Sequence, residues 1–185
     1  KKKTICIFVT TDKVYQNKEW EFPYREIDRL GGHDPYSASK AAAELVIDSF
    51  RKSFFNEAKI SVASVRAGNV IGGGDWSEDR LFPDIFNSIH NEKPIILRNP
   101  TAVRPWQHVL DPIVAYLKLA KHMDLNPNKY NQGWNFGPYN YESKTVLEVC
   151  KQVISVFKKG EITIESNKNE PHEANLLKLD ISKAM

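Results

Sequence analysis

The stretch Thr4-Ile5-Cys6-Ile7-Phe8-Val9-Thr10-Thr11-Asp12-Lys13 decides the fold of this chain. Its largely β-branched part, residues 4–11, predicts a fully buried parallel strand. After a polar, turn-rich segment, Pro35 suits the first turn of a helix, and residues 39–55 have a helical pattern. A strand followed in this way by a helix favours an open α/β sheet, in which ligands bind beyond the carboxyl ends of the strands.

Strands and helices continue to alternate along the rest of the chain. The apolar run 60–71 predicts a second buried strand, which three glycines end. Helices are expected at 81–91, 111–123 and 146–158, and short strands at 94–98, 133–137 and 161–165. The alternation predicts an α/β fold with a largely parallel sheet. The shorter elements after residue 75 indicate a lobe that is interwoven with this sheet.

Composition restricts the possible classes of function. The chain has 185 residues, of which 41% are apolar and 26% are charged, as in an ordinary globular domain. No apolar run approaches the roughly 20 residues of a membrane span. The basic residues are scattered and the net charge is only +3, which disfavours nucleic-acid binding. The five histidines lack metal-ligand spacing, so no metal is expected. Cys6 and Cys150 are expected to be reduced thiols, which favours a cytoplasmic location.

Tyr36 and Lys40 are the first candidates for chemistry, because a spacing of four residues places both side chains on one face of a helix. A phenol is a poor base at neutral pH, but an adjacent ammonium stabilises the phenolate, which can accept a hydroxyl proton. Alone, this pair is weak evidence, since such spacings recur by chance. Thr11, Asp12 and Lys13 strengthen it, because they supply a hydroxyl, an acid and a base at the carboxyl end of the preceding strand.

Together these residues resemble the extended short-chain dehydrogenase/reductases, whose triad is a strand-end Ser or Thr followed by Tyr-x-x-x-Lys. Within that superfamily, Thr11-Asp12-Lys13 is similar to the Thr-Asp-Glu motif, or its variants, of the sugar-nucleotide 4,6-dehydratases, where epimerases carry neutral residues. The resemblance covers nearly the whole chain and is closest to members that act on CDP-glucose. Its other motifs lie at residues 24–26, 31–36, 65–76, 98–100, 104–109, 133–138, 171–174 and 177–180.

The resemblance implies a lyase of deoxysugar biosynthesis, such as that of lipopolysaccharide O-antigens, with NAD as its cofactor. In such an enzyme the sugar is oxidised at C4, water is eliminated across C5 and C6, and the hydride returns to C6, giving a 4-keto-6-deoxy sugar. Tyr36 would take the O4 proton with support from Lys40 and Thr11. Lys13 would remove the C5 proton, and Asp12 would protonate the departing C6 hydroxyl. This role requires a raised pKa for Asp12, which burial favours and the adjacent Lys13 opposes.

The resemblance also indicates how the ligands are held. Contacts to NAD are expected from Thr10, Tyr36 and Lys40. Substrate contacts are expected from Asn69, Arg80 and Arg104, since the guanidinium group of arginine binds phosphate in a bidentate manner. Relatives often have another arginine near residues 171–173, and this sequence has none there. A homodimer or higher homo-oligomer built on the Tyr36 helix is expected.

The sequence contains no G-x-G-x-x-G turn between an early strand and helix. We therefore expect residues 1–75 to be the second half of a dinucleotide-binding Rossmann domain, with the catalytic residues, and the glycine-rich first half to be absent. Residues 76–185 would form a smaller, mixed α/β substrate-binding lobe. The isolated chain would be inactive and prone to associate through an exposed strand edge. The alternatives are a dehydratase for another nucleotide sugar, an epimerase, or a chain without catalytic function.

Overall fold

The computed structural model describes residues 3–55, 59–77, 80–139, 144–165 and 176–185. Its strands are β1 (Thr4–Val9), β2 (Ile60–Ala67), β3 (Val70–Ile71), β4 (Ile95–Leu97), β5 (Val103–Arg104), β6 (Gln107–His108), β7 (Gly133–Phe136), β8 (Lys144–Thr145) and β9 (Ile162–Ile164). Its helices are α1 (Pro35–Phe50), α2 (Leu81–His90), α3 (Leu110–Leu125), α4 (Pro127–Tyr130) and α5 (Val146–Phe157), and Asp12–Val14 forms a 3-10 turn.

The main sheet consists of β1, β2 and β7, which are parallel and lie in that order. Their register pairs Val9 with Val65 and Ala67 with Phe136, so the three strands end at nearly the same level. The segments that leave them therefore emerge together at one carboxyl edge. The predicted α/β fold with a largely parallel, Rossmann-like sheet is confirmed.

Different helices cover the two faces of this sheet. One face is apolar and packs against α3; its buried cluster consists of Ala63, Val65, Leu119, Met123 and Trp134. On the opposite face, beneath α1, the alternate β2 residues Ser64 and Arg66 hydrogen-bond to Glu44 of α1. Since side chains alternate between faces along a strand, β2 separates an apolar layer from a polar one.

The polar layer is organised by a buried ion pair. Arg66 Nη2 lies 2.7 Å from Glu44 Oε2, and both side chains are almost fully buried. The hydroxyls of Thr10 and Ser64 donate to the same carboxylate over 2.6 and 2.7 Å. Arg66 Nη1 donates to the Tyr15 hydroxyl over 2.8 Å. Hydrogen bonds to both charged groups are what allows the pair to be buried.

Helix α1 begins as predicted and ends differently. Pro35 occupies its first turn, and the Asp34 side chain caps it by accepting a hydrogen bond from the Ser37 backbone amide over 3.0 Å. The regular helix stops at Phe50, and a single π-helical turn continues to Phe55. Among its apolar residues Ala41 is buried, whereas Ala42, Leu45, Val46 and Phe50 are exposed.

The single strand predicted over 60–71 is wrong, because this run forms two strands in different sheets. Gly68 and Asn69 separate β2 from β3, and β3 pairs with β6 instead of extending the main sheet. A Cβ atom at position 68 would lie 2.3 Å from the Pro105 ring, so this close approach requires glycine. The chain leaves the main sheet at this point.

The elements after residue 75 are short, as expected. Strands β4 and β9 pair in parallel and β5 and β8 antiparallel, and α2 and α5 share a core with β4. The predicted helices over 81–91 and 146–158 agree closely with α2 and α5. Helix α3 is longer than its predicted range of 111–123.

No helix in the described ranges combines the length and apolarity that crossing a membrane requires. The division near residue 75 stays a prediction.

Replacing Arg66 with methionine should strongly destabilise the fold, because Glu44 would remain buried without its cation. We expect a loss of about 3–5 kcal/mol in the free energy of unfolding, measured by urea denaturation. Arg25→Ala is the control, since it breaks the exposed Arg25–Asp28 pair and should leave the midpoint nearly unchanged. Equal effects of both substitutions would contradict a structural role for the buried pair.

Candidate active site

The carboxyl end of β1 turns directly into the 3-10 turn that carries Asp12 and Lys13. Thr11 caps this turn, since its side-chain oxygen accepts a hydrogen bond from the Lys13 backbone amide over 3.3 Å. The Thr11 hydroxyl also donates to Asp12 Oδ1 over 3.0 Å. Thr11 and Asp12 are buried, with exposed fractions of 8% and 4%, whereas Lys13 is exposed. The three residues therefore lie at the sheet edge in different environments.

Asp12 is a buried acid with one oxygen engaged and one free. Its Oδ2 atom has no hydrogen-bond partner within the described part of the chain. A Cβ atom at position 68 would lie 3.1 Å from this oxygen and 2.3 Å from the Pro105 ring, so Gly68 and Pro105 border it closely. Burial raises the pKa of Asp12 to about 6, against the opposing effects of the Thr11 hydrogen bond and the charges of Lys13 and Arg104. Burial thus outweighs the adjacent lysine.

Tyr36 and Lys40 lie on the same side of the first turns of α1. The Lys40 ammonium is 5.8 Å from the centroid of the Tyr36 ring, and the tyrosine is 51% exposed. The base of the helix is fixed against the turn, because Ala41 shares a buried cluster with Val14 and Tyr15. An accessible phenol with an ammonium beside it can exchange a proton with a bound hydroxyl.

The charge of Lys13 acts on the residue that caps α1. Hydrogen bonds from Ser37 lower the pKa of Asp34, the residue that caps α1, and the charge of Lys13 lowers it further. The lysine therefore lies close enough to the helix terminus for its charge to act there. Thr10 is directed differently, since its hydroxyl donates to Glu44 beneath α1. Its contact with the cofactor stays a prediction.

The three residues expected to bind substrate lie in separate places. Arg104 is buried in β5, and its charge acts on Asp12. Asn69 follows β2, where its backbone carbonyl accepts a hydrogen bond from the Gln107 amide over 3.0 Å. Arg80 is exposed at the start of α2. Hydrogen bonds with Ser77 are the main cause of the lowered pKa of Asp75, and the charge of Arg80 lowers it further. Arg104 thus joins the Asp12 cluster, and Arg80 lies with the loop of Asp75.

Two features of the site were not predicted from the sequence. The first is the Glu44–Arg66 pair, for which the only signal was the position of Glu44 one helical turn after Lys40. The second is Pro105, which no sequence pattern connects with Asp12. The motif at residues 171–174 lies outside the described residues. Among the described residues, no group of three or more His, Cys, Asp or Glu side chains could hold a metal.

A parallel sheet with polar and titratable side chains beyond the carboxyl end of a strand has the ligand-binding geometry of Rossmann-like folds. Residues 2–133 match the NAD dependent epimerase/dehydratase family, and the chain belongs to this family. It is 48% identical over 181 residues to the CDP-glucose 4,6-dehydratase of Salmonella typhimurium, a match that covers 95% of this chain and 50% of that protein. It is 30% identical to the dTDP-D-glucose 4,6-dehydratase of Bos taurus, over 82% of this chain and 39% of that protein. The chain spans half or less of these relatives.

Solved structures share the fold. A dTDP-glucose 4,6-dehydratase from Bacillus anthracis in complex with NAD superimposes with a TM-score of 0.75 and 24% identity, over 96% of this chain and 53% of that one. A UDP-glucuronic acid 4-epimerase from Bacillus cereus, in complex with UDP-glucuronic acid and NAD, superimposes with a TM-score of 0.79 and 21% identity. This match covers 97% of this chain and 54% of that one. Dehydratases and epimerases thus have this fold in common, and the distinction between them depends on the site.

Asp12→Asn should change how stability depends on pH. The carboxyl pKa is about 6 in the fold and ordinarily 3.8, so ionising Asp12 costs the fold free energy as pH rises through this interval, and costs nothing below it. The free energy of unfolding of the variant, relative to that of the unsubstituted protein, should therefore rise by about 3 kcal/mol as pH increases from ~4 to ~7. Urea denaturation at each pH measures this difference.

Asp34→Asn provides a control of opposite sign. The pKa of Asp34 is lowered by its hydrogen bonds with Ser37, so its stabilisation is present above the ordinary value and is lost as pH falls. This variant should lose stability relative to the unsubstituted protein as pH rises. A pH-independent difference for Asp12→Asn would show that the Asp12 carboxyl is not held protonated by burial.

Proposed function

We propose that this chain is the catalytic and substrate-binding part of an NAD-dependent sugar-nucleotide 4,6-dehydratase. The observation that carries the proposal is the buried Asp12, whose pKa is raised to about 6 at the same sheet edge as Tyr36 and Lys40. Eliminating a hydroxyl as water needs an acid that still holds its proton near neutral pH. Oxidation and return of a hydride alone, as in epimerisation, need no such acid.

The residues present fit the nicotinamide end of a bound NAD. Tyr36 is accessible, Lys40 lies beside it, and the helix that carries both packs against the turn that follows β1 at the carboxyl end of this strand. When bound, NAD would accept a hydride from the sugar C4 and later return it to C6. Tyr36 would accept the O4 proton, with the Lys40 ammonium 5.8 Å from the centroid of its ring. The Thr11 hydroxyl orients the same sugar oxygen.

The resulting ketone makes the proton on C5 acidic, and the elimination follows. Lys13 is the residue that would remove that proton, and the electron pair forms the C5–C6 double bond. The C6–O bond breaks as Asp12 donates its proton to the departing hydroxyl, which leaves as water. Addition of hydride at C6 and of a proton at C5 then gives the 4-keto-6-deoxy sugar. Asp12 is suited to its step because burial favours its neutral form.

We infer that the substrate is CDP-D-glucose. The support is the 48% identity over 95% of this chain to a CDP-glucose 4,6-dehydratase, compared with 30% to a dTDP-D-glucose 4,6-dehydratase. Arg104 and Arg80 would contact the diphosphate and Asn69 the sugar side of the substrate. Arg104 is already close enough to Asp12 for their charges to interact, so a diphosphate at this arginine would bring the sugar to the acid.

We further propose a homodimer, or a higher homo-oligomer, in the cytoplasm. The outer side of α1 presents exposed apolar residues that a second copy would cover: Leu45, Val46 and Phe50. Both cysteines are free, with Cys150 buried in the α2–α5 core and Cys6 half-buried in β1, as expected for a protein in a reducing compartment.

The substrate is tested by incubating the complete gene product and NAD with CDP-, dTDP-, UDP- and GDP-linked hexoses. The expected product is CDP-hexose that has lost one water, detected by mass. Loss of water from another nucleotide sugar, and not from CDP-glucose, would overturn the substrate assignment. A product of unchanged mass and altered C4 configuration would instead identify an epimerase.

Tyr36→Phe should lower kcat for this dehydration by about 10²–10⁴-fold, because it removes the group that exchanges the O4 proton. Tyr130→Phe is the matched control, since Tyr130 precedes β7 at the opposite edge of the sheet and stacks on Trp134. The control should retain nearly full activity. Equal activity of the two variants would exclude Tyr36 as the proton acceptor.

A further inference from the structure

The buried carboxylate of Glu44 has no part in the chemistry above, although it lies on the helix of Tyr36 and Lys40. Glu44 follows Lys40 by four residues and Tyr36 by eight, so the three lie along one side of α1. Its exposed fraction is 3%. Burial opposes its ionisation, but hydrogen bonding and the charge of Arg66, with two hydroxyls, outweigh burial and lower the pKa of Glu44. The helix therefore has a charged anchor inside the protein.

This anchor holds the strand end that leads into the site. Glu44 Oε1 accepts a hydrogen bond of 2.6 Å from the Thr10 hydroxyl. Thr10 directly precedes Thr11, whose own side chain caps the 3-10 turn and contacts Asp12. One hydrogen bond thus connects α1 to the peptide from which Thr11 projects.

The partner cation holds the other end of the same turn. Arg66 Nη1 donates to the hydroxyl of Tyr15, the residue that follows the 3-10 turn. The Tyr15 hydroxyl donates in turn to Asn135 of β7 over 2.7 Å. A single ion pair therefore fixes α1 and both ends of the Asp12 turn relative to the main sheet.

We propose that Glu44 is a positioning residue that acts through Thr10 to set the separation between the Tyr36 phenol and the Thr11 hydroxyl. This inference depends on the proposed function, in which both groups act on one sugar hydroxyl. Tyr36 belongs to α1 and Thr11 to the sheet, and the Glu44–Thr10 hydrogen bond is a direct connection between the two. Small misplacement of such groups lowers the rate of the chemical step more than it weakens binding.

The test uses Thr10→Val, because valine keeps the shape of threonine and removes only the hydroxyl, leaving Glu44 and Arg66 paired. In the complete gene product we expect kcat for dehydration to fall roughly tenfold. The KM values for the sugar nucleotide and for NAD should stay within about twofold. Thr10→Ser restores the hydroxyl and should restore kcat.

Ser64→Ala is the matched control. It removes the other hydroxyl that donates to Glu44, over 2.7 Å, from within β2 instead of from the strand end at the site. Both Thr10→Val and Ser64→Ala should lower the melting temperature by about 2–4 °C, the size of one lost hydrogen bond. Only Thr10→Val should lower kcat.

Three results would overturn the inference, and they are distinguishable. Equal kcat for Thr10→Val and Ser64→Ala would make the hydrogen bond merely structural. A raised KM for NAD with unchanged kcat would make Thr10 a cofactor contact. Absence of dehydration by the unsubstituted protein, with every nucleotide sugar tested, would refute the proposed function itself.

Discussion

The carboxylate of Glu44, held 2.7 Å from the guanidinium of Arg66 inside the protein, is the interaction on which the site depends. Burying two charges costs several kcal/mol per ion, and the mutual attraction offsets this only when further hydrogen bonds engage the remaining lone pairs and protons. Here Thr10 and Ser64 donate to the carboxylate and Tyr15 accepts from the guanidinium, while Arg66 Nε has no hydrogen-bond partner among the described residues. These partners come from the end of β1, from β2 and from the segment after the 3-10 turn, so the pair ties α1, with Tyr36 and Lys40, to the main sheet.

The two buried carboxyl groups, Glu44 and Asp12, have opposite properties. Glu44 has a cation and two hydroxyls in contact, and its pKa is lowered. Asp12 has one hydroxyl in contact and its nearest cations only at a distance, and its pKa is raised to about 6. Burial opposes ionisation in both cases, and the hydrogen-bond partners determine which state results. One carboxyl group therefore serves as a fixed charge, and the other can hold a proton to donate.

Sequence patterns predicted the elements with strong periodicity or clear caps, such as β1, the start of α1, and helices α2 and α5. They did not predict the break at Gly68 or the two-residue strands β3, β5 and β6, because such short strands have no periodicity of their own. The Tyr36–Lys40 pair followed from spacing within one helix. The environment of Asp12 did not, since its burial involves Gly68, which is remote in the sequence and is brought near by tertiary packing. The burial of Glu44 was not predicted either, because a glutamate in a helix is ordinarily exposed and its partner Arg66 is remote in the sequence.

The proximity of Arg104 to Asp12 has a consequence for how a bound anion would affect the Asp12 carboxyl. The positive charge of Arg104 is one of the influences that hold the pKa of Asp12 down. A diphosphate seated on this arginine would neutralise that charge and make the carboxyl keep its proton more firmly. Binding of a phosphate-bearing ligand at Arg104 and protonation of Asp12 would then be thermodynamically linked, each favouring the other.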